Sequence, residues 1–170
     1  MANQDYFNST KTVYWPAEFS DICNMLQGKD SSESNTHPAM YKLNTGAIVL
    51  AAVIGLVNKR ERDVGSMRKE ITTDTFEAQK FGNTSLAAFL FLIPLLAKQE
   101  LDLLRPERED EVIRIFERFA AGGLEYLRGA LSESSDTTGQ AVLNAEVMKA
   151  LGGIDAQADT GLIDIFSDKN

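Results

Sequence analysis

Five cationic side chains fall within the eleven residues 59–69, KRERDVGSMRK: Lys59, Arg60, Arg62, Arg68 and Lys69, against the carboxylates of Glu61 and Asp63. Clustered guanidinium and ammonium groups recognise phosphate both as donors and as charges. They suit an acidic protein surface equally well. One reading of the segment is therefore a patch for DNA phosphate or for an acidic partner, with Gly65 letting the backbone turn tightly. The other is a solvated helix C-terminus, where Lys and Arg oppose the negative end of the helix dipole. The whole chain weighs against DNA: Lys and Arg total 17, Asp and Glu 25, and the net charge is −8. A polyanion is repelled by such a chain, so any DNA binding has to be focused on this one segment.

The second group with chemical potential is the carboxylate-rich run 107–118, EREDEVIRIFER, in which Glu107 and Glu111 stand four apart and share a helix face. Carboxylate metal centres in helical proteins take Glu-x-x-His motifs, or carboxylates that converge from several helices. Neither pattern is present. Glu111 with Arg114 or Arg118 reads instead as a surface charge ladder. The one histidine, His37, lies in the polar stretch KDSSESNTHP (29–38), next to a proline. The one cysteine, Cys23, sits beside Ile22 and reads as a small buried apolar residue rather than an activated thiolate. No phosphate-binding glycine loop, dinucleotide fingerprint, paired CxxC, HExxH or GxSxG occurs. The residues thus imply no catalytic group, no metal and no cofactor, and a protein that is not an enzyme. The polar stretch 1–9 lacks the order of a secretory signal. With the lone cysteine, it points to the cytoplasm. Two strongly apolar runs, 47–57 and 86–97, are 11 and 12 residues long. A bilayer span needs roughly 20, so no membrane is implied.

The elements that must position these residues read as all-α: a compact bundle of four to five helices with a short irregular or extended segment around 61–83. Residues 1–11 are expected to form a flexible arm, 12–153 a single helical domain and 154–170 an acidic tail. Pro16 suits the first turn of a helix that buries Phe19, Ile22, Cys23 and Leu26, with Gly28 as its stop. Residues 40–60 form the central helix, since AIVLAAVIGLV is apolar around its whole circumference. Ala51, Ala52 and Gly55 allow a neighbour close. Residues 69–76 read as extended or irregular, as a short hairpin or as a single helical turn. A helix over 84–104 is kinked or divided by Pro94. Pro106 opens a long helix with acidic first turns, an apolar stripe and a mid-helix pair, Gly122-Gly123. Each of those glycines costs about 1 kcal/mol relative to alanine, so the pair marks a close approach or a kink. A last helix covers 140–151. In the tail, Leu162, Ile163, Ile165 and Phe166 lie among aspartates, as either a docking peptide or a frayed end.

Two stretches carry a resemblance: TVYWPAEFSDI at 12–22 and FERFAAGGLEYL at 116–127. With the basic end of the central helix at 55–62, they resemble the DNA phosphorothioation-associated protein 4 family. These are small proteins encoded beside bacterial systems that replace a backbone phosphate oxygen with sulfur. Phe116, Phe119, Gly122, Gly123, Leu124 and Leu127 correspond to its late motif, although Ala121 stands where that motif has asparagine. The resemblance covers about residues 12–131 and supplies no catalytic residues. It implies a setting in DNA modification or antiphage defence without a mechanism; in that setting the leading expectation is a non-enzymatic accessory or regulatory protein, acting by contacts with other proteins of a phosphorothioation or restriction complex. The residue-level alternative is a DNA-binding module using Lys59, Arg60, Arg62, Arg68 and Lys69.

Overall fold

The computed structural model describes residues 6–27, 44–135 and 139–149. The Ser-rich stretch with His37, the expected stop at Gly28 and the acidic tail lie outside the described residues. The fold is mostly helical with minor strands. Its α-helices are α1 (Ser20–Leu26), α2 (Asn44–Val57), α3 (Thr73–Ala78), α4 (Ala87–Lys98), α5 (Glu109–Glu133) and α6 (140–149). Among the described residues two antiparallel ribbons accompany them: β1 (Thr12–Pro16) with β2 (Arg68–Thr72), and the short hairpin β3 (Lys80–Phe81) with β4 (Thr84–Ser85).

The centre is α2 crossed by α5. The run from Ala47 to Gly55 leaves no polar face, so α2 is covered on most sides, and Ala47, Ile48, Ala51 and Ala52 have no exposed surface. A charged face and an apolar stripe alternate on α5, and the stripe buries Val112, Phe116, Phe119, Leu124 and Leu127. At the crossing the two backbones touch. A Cβ built on Gly123 would lie 1.7 Å from the Ala51 carbonyl oxygen, and one on Gly55 would lie 2.1 Å from that of Phe119. On Gly122 it would meet the Arg60 carbonyl at 2.3 Å. The glycine pair therefore marks close approach, and α5 runs through it as one 25-residue helix. The propensity cost of two glycines, about 2 kcal/mol, is offset by dispersion between backbones that no larger residue would allow to meet.

α2 stops three residues before the expected end at 60. Lys59 takes a left-handed φ of 53°, its N–H reaches Leu56 O at 3.1 Å, and the Arg60 N–H reaches Gly55 O at 2.7 Å. This is the double closure of a helix C-terminus, here with lysine where glycine is usual. The helix expected over 84–104 is also shorter. Thr84 and Ser85 belong to the hairpin, turned at Gly82 with φ 60°, and α4 ends at Gln99 with φ 57°. A 3-10 turn, Leu101–Leu104, follows. Pro94 is accommodated inside α4, and another 3-10 turn, Pro106–Arg108, leads into α5.

The N-terminal region differs most from expectation. Pro16 closes strand β1 instead of opening a helix, and a 3-10 turn, Ala17–Phe19, separates it from α1. The alternation of 12–16 buries Val13 and Trp15 against the core, as a strand with one wet face does. Its partner β2 and the short helix α3, six residues long, come from the segment expected to be extended, a short hairpin or briefly helical. Of the expected arm, residues 6–11 are described and touch the core. Phe7 is buried and stacks on Phe91 at 4.7 Å, while Glu77 and Glu109 accept the Tyr6 and Asn8 N–H groups.

Candidate functional site

The closure of α2 sets the start of the basic segment. Lys59 and Arg60 are exposed at the C-terminal end of the helix dipole. The chain then runs along α5, held by the Arg62 N–H on Arg118 O at 3.0 Å. Gly65, with φ 80°, turns it into β2.

Three of the five cations have partners among the described residues. The Arg62 guanidinium bonds Glu18 at 2.6 Å, pairs with Glu125 at 3.3 Å and lies 5.2 Å from the centre of the Phe19 ring. Arg68 lies over the Tyr14 ring at 3.9 Å, and the Lys69 ammonium lies 5.4 Å from the centre of Trp15. The surroundings of Arg62 are mixed in sign. Arg128 shares Glu18 with it at 3.5 Å, reaches Asp21 at 3.0 Å and covers the same Phe19 ring at 4.3 Å. Arg118 pairs with Glu61 at 3.4 Å and Asp63 at 3.6 Å, and Lys98 approaches Glu61 at 3.9 Å. The carboxylates of Glu18, Asp21, Glu61, Asp63 and Glu125 thus meet Arg62, Arg118, Arg128 and Lys98. A phosphate arriving here has to compete with carboxylates already in place. Beside it, an open groove of about 390 Å³ runs along α5 from Gly122 to Glu133, with Arg60, Glu125 and Glu133 as its charged lining.

The carboxylates at the start of α5 do not converge. Arg108 grips Glu111 through two bonds of 2.7 and 2.8 Å, which keeps Glu111 below the ordinary carboxylate range. The ladder partner is thus Arg108, three residues before, rather than Arg114 or Arg118. Glu107 is exposed. No group of three or more His, Cys, Asp or Glu able to hold a metal exists among the described residues. Cys23 is 1% exposed, and burial pushes its thiol up to about 12, against a lowering by Lys69. It is a core side chain, inert as a nucleophile.

Sequence reasoning missed the buried polar ties. Glu117 is 8% exposed on α5, and its carboxylate accepts the Tyr14 N–H at 2.6 Å. Burial raises its pKa, opposed by that hydrogen bond and by the charges of Arg68 and Arg114. The available signal was its helical phase, four residues after buried Ile113 and three before buried Ala120. Glu146 on α6 is a second tie, accepting Asn58 Nδ2 at 3.0 Å and the Tyr126 hydroxyl at 2.7 Å. Burial works to raise this carboxyl, but the two donors and the Lys149 charge hold it below its ordinary value. Trp15 Nε1 is buried with no hydrogen-bond partner among the described residues. The late motif, by contrast, is packing: Phe116, Phe119, Leu124 and Leu127 are buried, and Phe116 meets Phe76 edge to face at 6.2 Å.

The family model for DNA sulphur modification system-associated protein 4 matches residues 13–159. The chain belongs to that family. No curated protein and no solved structure matches it. The matched span includes β1, the α2–α5 crossing, the basic segment and the glycine pair. Membership in this accessory family is consistent with a non-enzymatic, protein-interacting role in a phosphorothioation system. No helix among the described residues is long and apolar enough to cross a membrane.

Proposed function

We propose that this member of the DNA sulphur modification system-associated protein 4 family is an accessory or regulatory component of a bacterial antiphage defence system. It acts in the cytoplasm by binding another protein of the phosphorothioation or restriction complex. The observation that carries this reading is the unused apolar surface of α4 and the turn after it. Leu92 and Leu96, one helical turn apart, are 45% and 57% exposed, and Leu101 and Leu104 are 80% and 53% exposed. Single exposed leucines are ordinary, but four within thirteen residues concentrate apolar exposure in one stretch, and concentrated apolar exposure is what marks protein contacts. The charges at its margin are already paired within the chain, Asp102 with Arg105 at 2.9 Å and Glu100 with Arg108 at 3.3 Å. The partner surface that fits is therefore apolar, not strongly charged.

The DNA-binding reading is supported by the exposure of Lys59, Arg60, Arg68 and Lys69. One pair of measurements separates the two. Co-purification with tagged proteins of the same modification system should fall at least about tenfold in Leu96→Glu/Leu101→Glu, with the thermal melt of the free protein unchanged. Retention on duplex DNA, plain or phosphorothioate-bearing, should be absent even at low salt. Tight wild-type retention that weakens steeply with salt and is lost in Lys59→Gln/Arg60→Gln/Arg62→Gln would replace the protein-contact reading with the DNA one.

A further inference from the structure

The groove along the C-terminal half of α5, about 390 Å³, is lined on that helix by Gly122, Glu125, Tyr126, Gly129, Ala130 and Glu133. Steps of three and four residues put all six on one face. An added Cβ on Gly129 would meet nothing within 4 Å, so the floor is open there. The groove carries a charge at each end. The Arg60 carbonyl lies against Gly122, 2.3 Å from where a Cβ would stand, which fixes Arg60 at one end. Glu133, the last residue of the helix, stands at the other. Both are exposed, with no ion-pair partner among the described residues. Glu125, between them, is already held by Arg62 at 3.3 Å, and Tyr126 is anchored by its hydroxyl on Glu146 at 2.7 Å.

An unpaired cation at one end and an unpaired carboxylate at the other make a surface complementary to its own copy after a two-fold rotation. In an antiparallel helix pair, the numbers of residues that face each other have a constant sum. With Tyr126 facing Gly129 of a second copy, the six lining residues map onto themselves. Gly122 then faces Glu133, Glu125 faces Ala130, and Gly129 faces Tyr126. Every large side chain stands over a small residue, as close packing of two helices requires. Glu133 of the second copy, arriving opposite Gly122, meets Arg60, and the same pair forms again by symmetry. Neighbouring registers fit worse. A two-fold axis at Gly129 sets Glu125 against Glu133, and like charges oppose association. An axis at Tyr126 sets that ring against its own copy and leaves a gap between Gly122 and Ala130. An unrelated helix has to supply this order of sizes and charges afresh, whereas a second copy of the chain carries it.

We propose that the chain forms a two-fold dimer through residues 122–133 of α5, closed by two Arg60–Glu133 ion pairs between the copies. The overlap is about 18 Å of helix. That is a small interface, so the dimer is weak, with a Kd of about 10–100 μM. Sedimentation of the full chain across a concentration series tests it, and the wild type should pass from monomer to dimer over that range. Arg60→Glu and Glu133→Arg should each weaken the dimer at least about tenfold, because both symmetric pairs become repulsive. Their equimolar mixture should return to the wild-type affinity, since each copy then offers the charge that the other lacks. Gly129→Leu should abolish the dimer by filling the space that Tyr126 of the second copy takes. The side chain enters open space in its own chain, so the melt of the dilute protein should not fall below that of the wild type. A wild type that stays monomeric up to about 1 mM, a dimer that survives Gly129→Leu, or a mixture of the two charge variants that stays monomeric would each overturn the proposal. None of these readouts involves Leu96 or Leu101, so they are independent of the partner contact tested there.

Discussion

Helix α5 makes two kinds of contact, and they divide its sequence. On one face Gly122 and Gly123 let α2 and the Arg60 backbone come within contact distance, and a single added carbon has nowhere to go. On the other, Arg118, Glu125 and Arg128 join Glu18, Asp21, Glu61, Arg62 and Asp63 through charged side chains, most of them half-exposed. The first contact is rigid because backbone meets backbone, and main-chain atoms cannot swing aside. The second is adjustable because long side chains share partners in a high-dielectric layer, where each pair is worth little. The cluster that looked most like a functional site in the sequence belongs to the forgiving contact. The residues that looked merely permissive belong to the strict one.

The sharpest way to break that contrast is the same substitution at two glycines of the same helix. Gly123→Ala places a Cβ 1.7 Å from Ala51 O, so α2 and α5 must separate along their crossing. We expect a loss of about 3 kcal/mol or more, the upper end of overpacking costs. For a chain of this size that lowers the melting temperature by about 6–12 °C. Gly129→Ala, on the same helix with nothing within 4 Å of its added carbon, should stabilise by up to about 1 kcal/mol through helix propensity alone. Thermal melts of the two variants should therefore move in opposite directions. Equal shifts would mean that the crossing relaxes and that α5 has no strict face.

How far this was legible follows from the range of each interaction. The crossing was readable because it is local in pattern: small residues on an all-apolar helix, and a glycine pair in an otherwise regular stripe. The leading helical phase of Phe19, Ile22, Cys23 and Leu26 was readable for the same reason. Strand β1 was not. Thr12 to Pro16 has only five residues, and its strand character depends on β2, more than fifty residues away. Pro16 was read by its preference for helix starts, whereas here it occupies an outward ladder position that needs no donor. The fate of the five cations was hidden too, because Glu18, Tyr14 and Trp15, which engage Arg62, Arg68 and Lys69, are remote in sequence. Glu117 was hidden by its neighbours, since a carboxylate between arginines looks solvated until the Tyr14 N–H is placed beside it.

Glu117 sharpens the comparison from the middle, being a buried carboxylate that ties α5 to β1 through the Tyr14 N–H. Glu117→Ala leaves the Tyr14 N–H without its acceptor and should cost about 1–3 kcal/mol in urea unfolding. Glu117→Gln keeps a carbonyl acceptor and removes the charge. The folded pKa of Glu117 is raised, so the folded state holds that proton more tightly than the unfolded chain does. The stabilisation this gives is fully present below the unfolded carboxylate pKa, about 4.3, and is lost as pH rises through the folded value. The stability difference, Gln variant minus wild type, should therefore become more favourable to Gln as pH rises from about that value toward neutrality. A difference that is flat with pH, or that grows in favour of the wild type, would show that Arg68 and Arg114 dominate the carboxylate and that burial does not.

The smallest effect belongs to the charged flank, and its form matters more than its size. Side chains of Arg62 and Arg128 are 32% and 39% exposed, and both lean on the half-exposed Glu18 and on one Phe19 ring. Removing either, as Arg62→Met or Arg128→Met, should cost no more than about 1 kcal/mol, because the remaining arginine takes over the whole of Glu18. Removing both abolishes the shared contact, so the double variant should lose about 0.5 kcal/mol more than the sum of the singles. High salt should shrink that coupling, since exposed pairs are screened. Lys59→Gln/Arg60→Gln, which changes exposed cations at the end of α2, should leave stability within about 0.5 kcal/mol of the wild type. A loss of several kcal/mol at Arg62 or Arg128 that persists in high salt would place this flank beside the glycine crossing. The two contacts of α5 would then differ in chemistry but not in strictness.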